Sequence, residues 1–155
     1  MKTSAKVVII TILVAVLAFL TNAVGPLGGF WQPAPDAPVP TGIQSVLFAI
    51  LLAVEAVALG LGVSFLLFGF PLVKAISTAS TALTHTVHVA ISWLLLNWWA
   101  HDSLHLHVGM SGIGSLLAIE YSFHFTIIIS GLVLVSFLLV LLRNRRRDAR
   151  GPLAQ

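Results

Sequence analysis

Four apolar stretches, 7–24, 42–68, 72–100 and 113–142, are separated along the chain by short breaks that are polar or rich in Gly and Pro. Each is long enough to cross roughly 30 Å of bilayer hydrocarbon as a helix rising about 1.5 Å per residue. The pattern predicts an all-α integral membrane protein, a four-transmembrane-helix bundle forming one membrane domain over 1–155. The first stretch ends near Thr21-Asn22-Ala23, where a signal peptidase could cut, although its length favours a retained helix. The breaks are an outer loop at 25–41, too rich in Gly and Pro to lie unpaired in lipid, a histidine-rich loop at 101–112, and a basic tail at 143–155.

Composition agrees with lipid as the solvent: 58% of the 155 residues are apolar and 8% are charged, against about 25% charged in an ordinary soluble domain. The net charge of +3 is not spread over a face. Lys2 and Lys6 precede the first stretch, Lys74 falls in the break at 69–71 or just after it, and Arg143, Arg145, Arg146, Arg147 and Arg150 follow the last. With four spans these residues share one side, which the positive-inside rule makes cytoplasmic, together with both termini. The expected location is the cell membrane, with the Pro-rich and histidine-rich loops extracytoplasmic. The arginines are placed as a stop-transfer anchor near anionic headgroups rather than as a nucleic-acid surface.

Five ionisable residues interrupt the apolar stretches: Glu55, His85, His88, Glu120 and His124. Each costs roughly 2.5–3.5 kcal/mol in lipid unless it finds a partner or a ligand. Counted inward from the expected outer boundary, Glu55, His88 and His124 lie at about the same depth, roughly 16–18 Å, with His85 and Glu120 about one turn away. Ser77, Thr81, Thr84 and His88 fall within about 60° of one another on one helix face. Glu120 and His124 are an i,i+4 pair, with Gly131 on the same face two turns on, and Glu55 shares a face with Gly62; such small residues would permit close helix approach.

This spacing suggests one intramembrane cluster binding a metal ion (Cu, Zn or Fe, with Mn also compatible) through Glu55, His88, Glu120 and His124, or haem b through His85 or His88 opposite His124. The outer segment adds a second candidate in His101, Asp102, His105 and His107. His101 and His105 would share a face if that segment were helical, whereas a site using His107 as well requires a turn. The spacings His85-x-x-His88 and Glu120-x-x-x-His124 depart from the Glu-x-x-His pairs of diiron bundles. Trp93, Trp98 and Trp99 suit interface belt and packing positions.

A redox or metal-handling role follows from such a cluster. The alternatives are a non-catalytic accessory subunit of a membrane complex, with the buried groups fixing helix register, and a proton or ion path through Glu55, Glu120 and His124. The expected partners are the lipid bilayer and either further copies of the chain or a larger membrane complex. No cysteine, Gly-rich phosphate loop, His-Glu-x-x-His or Gly-x-Ser-x-Gly motif is present, so nucleotide-driven and hydrolytic chemistry have no sequence support, and no nucleotide or nucleic acid is expected.

Overall fold

The computed structural model describes residues 3–22 and 25–149; Lys2, Ala23 and Arg150 lie outside this set. Five α-helices follow in order: α1 (Thr3–Thr21), α2 (Ile43–Phe68), the short α3 (Phe70–Ile76), α4 (Thr81–Val108) and α5 (Ile113–Ala149), with one 3-10 turn at Gly28–Phe30. The described residues contain no strand. Three helices, α1, α2 and α5, are long and apolar enough to cross a membrane. Large apolar side chains such as Leu47, Leu61, Phe125 and Leu132 face outward, as they do when lipid replaces water outside the protein.

The stretch 72–100 is not the single uniform apolar span expected. Gly69 and Pro71 break the backbone after α2, residues 70–76 form α3, and α4 begins only after an extended link, where the Ser80 hydroxyl accepts the Leu83 N–H at 3.3 Å. Proline has no N–H to give and tolerates a first helical turn, which is why the chain restarts there. At its other end α4 continues through the segment expected to be a loop, so His101–His107 are helical. It stops where Gly109 takes φ +70°, and a Cβ at that position would lie 2.1 Å from Asp36 Oδ1. Likewise the basic residues Arg143–Arg147 continue α5 rather than forming a separate tail.

The four long helices pack as a row, α1 on α2, α2 on α4 and α4 on α5. The α1–α2 seam is built from Ala56, Gly60 and Ser64, spaced four apart, so that two backbones come close. A Cβ on Gly60 would sit 2.3 Å from the Thr11 carbonyl oxygen. The Ser64 hydroxyl lies 2.8 Å from Thr11 Oγ1 and donates to the Val7 carbonyl at 3.1 Å. Small residues spaced by four are a recurrent solution for helix contact in lipid, where apolar burial gives no net drive. Between α2 and α4 the face shared by Glu55 and Gly62 turns to α4, with Leu95 and Leu96 over Gly62. Gly131 has no such role: nothing lies within 4 Å of a Cβ built there, because α5 has a neighbour on one side only.

α4 is the polar member of the row. Thr84, His88, Ser92 and Asn97 are all buried. Ser92 donates to the His88 carbonyl at 2.9 Å, Asn97 to the Trp93 carbonyl at 2.9 Å, and Trp93 Nε1 to Thr126 Oγ1 of α5 at 3.0 Å. At the basic end an apolar core of Val73, Val87, Phe137 and Leu141 joins α3, α4 and α5, and Asn144 donates to the Thr78 carbonyl at 3.0 Å. Trp99 is a packing residue, donating to the Ala18 carbonyl at 3.1 Å.

At the opposite end the Pro-rich segment is tied to the α4–α5 turn. Asp36 Oδ2 accepts the N–H groups of Ser111 at 2.7 Å and Met110 at 3.0 Å, Ala34 donates to the Leu106 carbonyl at 3.0 Å, and His107 Nδ1 bonds the Trp31 carbonyl. The Ser111 side chain, followed by the backbone N–H groups, holds the Asp36 carboxyl below its ordinary range.

Two outcomes follow. Gly60→Leu should destabilise the protein in detergent by about 1–3 kcal/mol through overpacking, whereas Gly131→Ala should leave thermal unfolding unchanged. Because the folded pKa of Asp36 is depressed, its tie is complete above the unfolded value and is lost as pH falls through the lower folded one. Amide exchange at Met110 and Ser111, corrected for the intrinsic pH dependence, should therefore stay protected at pH about 4 and lose protection below it. In Asp36→Ala that protection should be missing at every pH.

Candidate metal centre

Two i,i+4 pairs meet where α4 and α5 approach the turn joining them. His101 and His105 lie one turn apart near the end of α4, and Glu120 and His124 one turn apart near the start of α5. The antiparallel crossing brings them face to face. His105 Nε2 is 3.1 Å from His101 Nε2 and 3.0 Å from Glu120 Oε1, and His124 Nδ1 is 2.9 Å from Glu120 Oε2. The His101 ring is 5.3 Å, centroid to centroid, from that of His124 and stands perpendicular to it. One ligand atom each from His101, Glu120 and His124 lies within 4.8 Å of the others. Imidazole and carboxylate donors at such separations match the needs of Zn, Cu(II) or Fe more than those of Ca or Mg.

Behind this group stands a pair of carboxyls. His101 Nδ1 is 3.0 Å from Asp102 Oδ1, which leaves Nε2 turned toward His105. Glu55 of α2, 5% exposed, faces the Asp102 side chain. A carboxylate on the far nitrogen of a ligating histidine fixes the ring's tautomer and orientation. Asp102 thus sits where such an orienting group belongs. Phe123 closes the site from α5, its ring 5.3 Å from His101 and stacked on Trp93 at 5.8 Å.

The expected residues are therefore divided differently from their sequence depths. Glu120 and His124 join His101 and His105, and Glu55 joins Asp102. His107 faces away, bonded to the Trp31 carbonyl, so three histidines do not converge within the 101–107 segment. His85 stacks on Phe70 at 4.2 Å, and His88 Nε2 bonds the Phe65 carbonyl at 2.9 Å, beside the break between α2 and α3. His88 is about 21 Å along α4 from Asp102. The reason is the eight further residues of α4, 101–108, which move its outer end by about 12 Å. That extension sets His124 level with His101 rather than with His88.

The orienting position of Asp102 was not visible in sequence, where it counted as a possible ligand. The usable signal was the pair of i,i+4 motifs flanking a short turn, which pack together only if both segments are helical. No protein-family model, curated protein or solved structure matches this chain.

Proposed function

We propose that the chain is a small multi-pass membrane protein that binds a metal ion through His101, Glu120 and His124, with His105 as a fourth donor, in a redox or metal-handling role. The observation that carries this reading is the convergence of three ligand atoms within 4.8 Å on two packed helices, with an Asp behind His101 at 3.0 Å. Zn, Cu and Fe all suit the donors. Haem b is the weaker candidate, because His88 is engaged by the Phe65 carbonyl and His124 approaches His101 instead.

In this reading α4 is the fourth span. Its own hydropathy falls short because Thr84, His88, Ser92 and Asn97 lie along it, but these side chains are buried. The basic residues Lys6, Lys74, Arg143, Arg145, Arg146 and Arg147 gather at one end of the row, and His101, His105, His107 and His124 at the other. The positive-inside rule then puts the basic end in the cytoplasm and the metal centre at the extracytoplasmic end, in the cell membrane. The row leaves apolar faces on α1 and α5 for lipid, for another copy, or for a larger membrane complex.

Purified protein loaded with Zn(II) or Cu(II) and then desalted should retain about one metal ion per chain by elemental analysis. His101→Ala and His124→Ala should each remove it, and Asp102→Asn should weaken affinity by about 10–100-fold. His85→Ala and His88→Ala should retain the full complement. If the four groups only lock α4 to α5 by hydrogen bonds, as an accessory subunit would require, neither wild type nor variants will hold metal.

A further inference from the structure

A groove of about 680 Å³ runs from the lipid-facing surface to the metal centre. Pro40, Leu47, Phe48, Leu51 and Met110 supply its apolar walls. Its polar lining comes from Gln44 and from His101, Asp102, His105 and Glu120, the flank of the site just described. His124 is not part of this lining and opens instead beside Tyr121 and Phe125. The volume falls in the range of ligand pockets, and an apolar wall with a few convergent polar groups is their usual chemistry.

Bulk lipid is a poor match for this lining. An acyl chain would satisfy Leu47 and Leu51 but offers nothing to His105 or Glu120, both of which reach the groove. A hydroxyl can donate to Glu120 Oε1 and accept from, or share a proton with, His105 Nε2, two atoms that are 3.0 Å apart. An apolar tail on that hydroxyl has Leu47, Phe48 and Leu51 of α2 to run along.

We infer that the groove binds a hydroxyl-headed amphiphile with a long apolar tail, entering from the bilayer with its hydroxyl against His105 and Glu120. The inference rests on the metal reading for what the hydroxyl meets when a metal is bound; the tail site stands on the apolar walls alone. The ligand class is set by the pairing of an ionisable floor with a lipid-accessible apolar wall.

The test uses the full chain in phosphatidylcholine nanodiscs with two photoactivatable probes, an alkylphenol carrying a diazirine in its tail and the matching alkylbenzene without the hydroxyl. Crosslinked peptides are mapped by mass spectrometry, with and without Zn(II). The phenol should label the peptide containing Leu47–Leu51 about tenfold more than the alkylbenzene, a preference equivalent to about 1.4 kcal/mol. Excess unlabelled 4-dodecylphenol should suppress it. Leu47→Trp and Leu51→Trp, which fill the groove from exposed positions, should each block labelling, and Leu132→Trp on the outward face of α5 should not. His124→Ala separates the two readings, because it should abolish metal retention while metal-free labelling of the groove persists. Equal labelling by both probes, or labelling spread evenly over the lipid faces of α1 and α5, would overturn the inference even if the metal is retained.

Discussion

The fold depends on one constraint: α4 carries polar side chains along its length, and these are covered by helices on both sides. Threonine, serine, asparagine and histidine along one helix each add an insertion cost. Flanking α4 with α2 and α5 buries those groups, and most of their hydrogen bonds close onto the same helix or its neighbours. The apolar helices α1, α2 and α5 need no such cover. That asymmetry accounts for a row in which the polar helix lies inside and α1 docks on the far side of α2, through small residues rather than large apolar ones.

The same constraint concentrates chemistry where α4 leaves the row. Toward the turn at Gly109 its polar residues change from hydroxyls and amides to His101, Asp102 and His105, and the neighbours supply Glu55 from α2 and Glu120 and His124 from α5. Charged and titratable groups are tolerable there because each meets another: Glu55 with Asp102, Asp102 with His101, Glu120 with two histidines. A metal ion would complete the set by giving the histidine nitrogens and the Glu120 carboxylate a common partner. The arrangement therefore links helix packing and ligand geometry, since a shift of one residue at the α4–α5 crossing would turn one i,i+4 pair away from the other.

How much of this could be read from the chain depended on helix ends. Helical class, the apolar stretches of α1, α2 and α5, and the i,i+4 pairing of Glu120 with His124 followed from periodicity and from the cost of charge in lipid. The end of α4 did not. His101-Asp102-Ser103-Leu104-His105-Leu106-His107 looks like a polar surface loop, yet it continues a helix whose face toward α5 needs His101 and His105. Placing the boundary at Ala100 displaced every depth on α4 by about two turns, which grouped His88 with His124 and left His101 outside. The break at Gly69–Pro71 was legible, but the extended link before Ser80 was not, because Ser77, Thr78 and Ser80 can cap a helix as readily as line one.

The burial of α4 between an earlier and a later helix also bears on how the protein is made. When α4 emerges during synthesis, α2 is already available to cover one flank, while α5 has yet to be translated. Until then Trp93 lacks the Thr126 hydroxyl, and His101 and His105 lack the carboxylate of Glu120. The nascent α4 therefore carries polar side chains whose cover on one flank waits for α5. Burial of the second flank of α4 and formation of the histidine–glutamate site then become one late event in the life of the chain.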